Sequence, residues 1–159
     1  SRDGIAYAGG KLNIGEAMSP PLIRNVKESL AEKGVRILDS PPGTSCPAVE
    51  AMRDADFVVL VTEPTPFGLN DLNLAAAAVR ALGIPFGVVV NRALIGDDPM
   101  MREYRAQGYR VLASIPHSRD IAEHYSRGDC VSAIMALHRD EIEKIASCAG
   151  QYSLKGARA

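Results

Sequence analysis

Four short stretches of this 159-residue chain carry side chains that can do chemistry: 39–46, 62–66, 91–92 and 116–119. Asp39 follows the apolar side chains of Val35, Ile37 and Leu38 and precedes Pro41, Pro42 and Gly43. A carboxylate at the carboxyl end of a buried strand, ahead of a glycine-bearing loop, stands where open α/β sheets bind ligands. Asp39 can hold a magnesium ion through a water. Gly43 can turn a backbone N–H toward a phosphate. Asn91, with Arg92 beside it, offers a carboxamide that both donates and accepts, which matches the edge of a purine base. Each such neutral hydrogen bond contributes only about 0.5–1.5 kcal/mol. Simpler readings stay open, because a strand-end Asp also caps turns and a strand-end Asn also forms them.

Several chemistries have no residues to carry them. There is no G-x-x-x-x-G-K-[ST] loop to cradle a triphosphate, and no G-x-G-x-x-G turn for a dinucleotide. H-E-x-x-H and G-x-S-x-G are absent as well. His117, His124 and His138 do not stand at metal-ligand spacing and read as surface or capping residues. Cys46, Cys130 and Cys148 are far apart, odd in number and form no C-x-x-C pair. Cys130 and Cys148 read as core thiols on or near a helix. Unpaired cysteines of this kind imply a reducing compartment, hence a cytoplasmic protein.

The elements that must position these residues follow from the apolar pattern. Val35–Asp39, Phe57–Thr62, Ile84–Val90 and Tyr109–Ile115 read as strands. Helices are expected over 20–30, 47–53, 71–82, 99–107, 118–125 and 131–149, with Ser19 as the N-cap of the first and Glu63–Asn70 as a loop. Apolar residues make up 47% of the chain, aromatics only 5%, and Trp is absent. The core must therefore be aliphatic, which suits Val/Ile/Leu-rich parallel strands. The alternation predicts an α/β fold: three layers, a mostly parallel sheet with helices on both faces. One domain over 1–159 is expected, with 151–159 as a basic, disordered tail. A net charge of −1 argues against a nucleic-acid partner, and no apolar run has the length of a membrane span. No secretory signal opens the sequence.

Two stretches, ILDSPPGTSCPAVEAMRDADFVVLVTEPTPFGLNDL and GIPFGVVVNR, resemble the MinD/ParA-type deviant P-loop ATPases. The nearest likeness is to the subgroup with an inserted ferredoxin domain, and LNIGEAMSPPLIRNVKESL resembles the segment that follows that insertion. The resemblance implies that Asp39 and Gly43 form switch II, sensing magnesium and the γ-phosphate of ATP. It implies that Asn91 contacts adenine with Arg92 beside it, and that Pro116 begins the loop packing around the base. It further implies a homodimer formed face to face over ATP, and a fold similar to the nitrogenase iron protein. That protein has a cluster-binding Cys at the distance Cys46 keeps from Asp39, so the resemblance makes Cys46 a candidate ligand of an iron–sulfur cluster shared between subunits. One thiolate per chain supplies a dimer with two of the four ligands a [4Fe–4S] cluster needs. The other expected ligand falls in 15–20, where Glu16 and Met18 stand and no Cys does.

The family's first strand, its lysine-bearing P-loop and its ferredoxin cysteines are missing from this sequence. The chain is therefore expected to be the carboxyl-terminal part of a longer protein, with little ATP affinity by itself and an exposed sheet edge that promotes self-association. The implied function of the whole is ATP hydrolysis coupled to electron transfer or iron–sulfur handling, with a redox partner protein. Two alternatives stand beside it: a non-catalytic interaction module that has lost its P-loop, and a cobyrinate diamide synthase-like enzyme.

Overall fold

The computed structural model describes residues 5–13, 19–30, 34–94 and 98–156, and their side chains except those of 130, 132, 133 and 153–156. Ile14, Glu16 and Met18 lie outside the described residues, as does 157–159 of the expected tail. The chain forms two compact units, Ser1–Asp54 and Ala55–Ala159.

The first unit pairs two helices, α1 (Pro20–Glu28) and α2 (Cys46–Met52), which pack against each other. Pro20 and Pro47 suit first-turn positions, where a missing N–H costs nothing. Ser19 stands at the N-cap of α1 but makes no side-chain cap bond, because its backbone is already helical at φ −83° and ψ −25°. An N-cap side chain reaches the orphan N–H groups from an extended backbone, so the stabilisation of about 1 kcal/mol that such a cap gives is absent there. Lys27 serves the end of α2 instead: its ammonium donates to the Glu50 carbonyl at 3.2 Å and to that of Arg53. Cations at a helix carboxyl end satisfy orphan carbonyls and oppose the dipole.

The expected strand over 35–39 is not formed. Those residues have irregular backbone, with Val35 at 85% and Ile37 at 89% exposure. A strand needs a neighbour for its N–H and C=O groups and a surface on which to bury alternate side chains. Nothing among the described residues of this unit supplies either, so apolar and β-branched character alone did not make a strand. Asp39 therefore does not close one.

The second unit holds a parallel sheet of β1 (Val58–Thr62), β2 (Phe86–Ala93) and β3 (Val111–Pro116), in the order β1-β2-β3. Crossover helices α3 (Pro66–Ala81) and α4 (Pro99–Ala106) follow β1 and β2. On one face, Leu60, Val88, Val90 and Val111 meet Leu72 and Ala76 of α3 and Tyr104 of α4. On the other, a Cβ placed on Gly87 would lie 2.6 Å from the Leu112 side chain, and α7 (Arg139–Gly156) packs on β3. The α/β class with helices on both faces of a parallel sheet is thus the observed one.

Boundaries moved where local signals were misread. The helix expected at 71–82 begins at Pro66, because Thr65 is extended and its side chain accepts from the Gly68 N–H at 2.9 Å. β2 runs through Asn91 and Arg92 rather than stopping before them. The single helix expected over 131–149 is two, α6 (Cys130–Leu137) and α7, separated at His138 with φ −136°. α7 continues to Gly156, into the stretch expected to be disordered. Between β3 and α6 lies α5 (Arg119–Ser126), capped by Ser118. No described helix is long and apolar enough to cross a membrane.

Candidate functional site

Parallel strands present their carboxyl ends on one edge, and that edge here gathers Thr62, Glu63, Asn91, Arg92 and Pro116. Asn91 pairs with Ile115 and Ala93 with Pro116, so Arg92 is an extra residue facing nothing on β3. This β-bulge puts Arg92 in the left-handed region at φ 55°. A non-glycine residue there costs of order 1 kcal/mol or more and persists only when its surroundings hold it. Two contacts do so. The Arg92 N–H donates to Asn91 Oδ1 at 3.0 Å, and its guanidinium Nη1 lies 3.4 Å from Glu63 Oε1. Pro116 closes β3 half-buried, within the same bulge.

Glu63 lies in the stretch 62–66 named from sequence but was given no role there, and Tyr104 was not singled out. The carbonyl of Glu63 accepts from the Tyr104 hydroxyl at 2.9 Å and from the Thr65 N–H at 2.8 Å. Tyr104 is fully buried, although most of the helix that carries it is charged or exposed. The signal in sequence was the lone Tyr in a charged helix, which has to find a partner for its hydroxyl once buried. Thr62, buried at the end of β1, donates from Oγ1 to the Gly68 carbonyl at 3.0 Å.

Gly68 completes this cradle by lacking a side chain. A Cβ on it would sit 2.3 Å from the Glu63 carbonyl oxygen, a backbone atom with no room to yield. Gly68→Ala should therefore destabilise the protein by about 1–3 kcal/mol. A fall in the thermal midpoint checks this, and an unchanged midpoint refutes the fit.

Burial raises the pKa of the Tyr104 phenol above its ordinary 10.0, a hydrogen bond with Thr62 opposes that shift, and the charge of Asp98 adds to it. The folded state thus holds this proton more tightly than the unfolded one. The resulting stability is fully present below the unfolded value and is lost as pH rises through the folded one. Tyr104→Phe should flatten the loss of stability above about pH 10, which denaturant titrations at stepped alkaline pH measure.

The remaining sequence-identified residues belong to the first unit. Asp39 is exposed on irregular backbone. Gly43 is in the left-handed region at φ +81°, with open space where a Cβ would be. Cys46 is an exposed free thiol opening α2. The structure gathers Asn91, Arg92 and Pro116 at one edge, while Asp39, Gly43 and Cys46 adjoin one another along the chain.

Among the described residues no three His, Cys, Asp or Glu side chains converge to hold a metal. The described side chains of one chain therefore do not by themselves supply the four ligands of a [4Fe–4S] cluster. Asp39 offers one exposed carboxylate, which belongs to no such group. Asn91 is half-buried, and its carboxamide oxygen accepts from the Arg92 N–H. His117 is exposed, whereas His138 is buried and its Nδ1 lies 3.8 Å from Glu141. Cys148 is a buried free thiol, and the side chain of Cys130 lies outside the described set. A cleft of about 520 Å³ lies between the start of β3 and α7, lined by Arg110, Asp140, Lys144 and Cys148, and contains none of the candidate residues.

Comparison with known proteins adds the following. No family model matches the chain. An uncharacterized protein of Methanocaldococcus jannaschii is 35% identical over 140 residues, which is 87% of this chain and 48% of that protein. A second from the same organism is 29% identical over 93 residues, covering 56% of this chain and 33% of it. An iron–sulfur cluster carrier protein of Aquifex aeolicus is 27% identical over 108 residues, covering 58% of this chain and 30% of the carrier. The chain thus spans about half the length of the first of these relatives and about a third of the other two. Among solved structures, a chain described as a plasmid partition protein of Borrelia burgdorferi, bound to AMPPNP, aligns with TM-score 0.37 and 18% identity over 45% of this chain and 32% of that one. By sequence, then, the chain is distantly related to an iron–sulfur cluster carrier protein, and its own coordinates give it a parallel α/β sheet with Asn91 and Arg92 at the carboxyl edge.

Proposed function

We propose that the chain is the switch- and base-contacting part of a MinD-like ATPase, acting in a whole protein of its relatives' length. The observation that carries this reading is the Asn91–Arg92 bulge at the carboxyl end of the central strand, which holds a carboxamide in one orientation where α/β sheets receive ligands. In this reading Asn91 contacts adenine, Arg92 adjoins it and Pro116 borders the base. Asp39 holds magnesium through a water, and Gly43 offers its N–H to the γ-phosphate. Magnesium, when bound, supplies charge neutralisation at the phosphates. The whole protein couples hydrolysis to electron transfer or iron–sulfur handling, works as a homodimer in the cytoplasm and meets a redox partner protein. Relation to a named iron–sulfur cluster carrier supports that part. Cys46, exposed at the head of α2, is the thiolate through which a cluster would be shared or passed.

Calorimetric titration with Mg-ATP tests the proposal. The whole protein should bind with micromolar affinity. The 159-residue chain by itself lacks a lysine-bearing phosphate loop and should bind at least a hundredfold more weakly, since charge-assisted phosphate contacts of about 1.5–3 kcal/mol each are missing. Micromolar binding by the chain alone, or none by the whole protein, overturns the assignment.

A further inference from the structure

Glu63 does more than follow β1. Its carbonyl is pinned by the buried Tyr104 hydroxyl and the Thr65 N–H, and Gly68 closes around it. The residue's backbone therefore has one position, and its half-exposed carboxylate projects beside the bulge to Arg92. Arg92 keeps its left-handed backbone there, and its N–H takes Asn91 Oδ1. Only an acceptor can meet that N–H, so the carboxamide oxygen must face Arg92. A flip of the amide would set Nδ2 against a donor.

We propose that Glu63 is a positioning residue for purine selectivity, acting through Arg92 to keep the Asn91 carboxamide from flipping. The inference rests on the reading of Asn91 as the base contact. Adenine presents a donor at N6 and an acceptor at N7, which an Asn in fixed orientation matches with its oxygen and its NH₂. Guanine presents acceptors at both O6 and N7, so a fixed Asn opposes O6 with its own oxygen. The second lone pair of Oδ1 stays available for N6 while the first takes the Arg92 N–H. An amide free to turn would trade part of this discrimination away. An exposed ion pair is worth little as stability, but it is enough to bias one side-chain orientation.

Calorimetry on the whole protein with Mg-ATP and Mg-GTP tests the proposal. Asn91→Ala should abolish the preference for ATP. Glu63→Gln should reduce it about threefold at low salt, and by less at 1 M salt, where the wild-type pair is itself screened. Its thermal midpoint should not move, and Glu63→Asp should restore part of the preference. Arg92→Gly keeps the left-handed backbone and removes the guanidinium, so it should lose the same threefold, with no further loss in the double variant. If Asn91→Ala loses the preference while Glu63→Gln and Arg92→Gly keep it, the positioning role is wrong and the base contact stands. If Asn91→Ala discriminates as the wild type does, the base contact itself is wrong and the positioning role goes with it.

Discussion

Asp39→Ala in the whole protein should lower ATP turnover by about a hundredfold or more, the scale on which a single preorganised group acts on developing charge. The carboxylate is proposed to orient magnesium through a water, and an alanine there leaves the γ-phosphate charge less well neutralised. Asp39 is exposed and lies outside regular structure, so the substitution should change stability by no more than about 0.5 kcal/mol. Turnover and thermal midpoint should therefore separate: the first collapses and the second stays. Asp39→Asn preserves shape and removes the charge, and it should be nearly as inactive. Steady-state phosphate release measures both variants. Turnover within a factor of two of wild type would remove Asp39 from the chemistry and switch II from this loop.

Leu72→Ala should have the largest effect on stability, about 2–5 kcal/mol. Leu72 is 3% exposed and packs where α3 crosses the sheet, against a core that includes Val88, Val90 and Tyr104. With 5% aromatics and no Trp, this core has few large side chains that could collapse into the space left behind. The thermal midpoint should fall by about 10 °C or more. Val61→Ala removes an apolar side chain from the same unit, but Val61 is 65% exposed and its loss should fall within about 0.5 kcal/mol. Equal midpoints for the two variants would mean that the core is not where the structure puts it.

The three parallel strands were legible because each is a short apolar run with turn residues at its ends, and the central one, buried on both faces, needs no alternation to be recognised. Val88 and Val90 are fully buried and Val89 nearly so. The start of α3 was legible in principle, since Thr65 followed by Pro66 is a cap-and-first-turn signal, yet the turn formers around it outweighed it. Val35–Asp39 carries apolar and β-branched residues as the formed strands do, and did not become one. Composition states what a segment tolerates, whereas pairing depends on which other backbone lies alongside. His138 parts α6 from α7 with no Pro or Gly to announce it.

Local chemistry thus settled the fold class and the aliphatic core, because periodicity, turn residues and side-chain type act over a few neighbours along the chain. Tertiary structure alone decided that Arg92 bulges out of the ladder, that Glu63 reaches it and that Tyr104 anchors Glu63. Those contacts join residues 63, 92 and 104, which come together only once the strands and their crossover helix are packed.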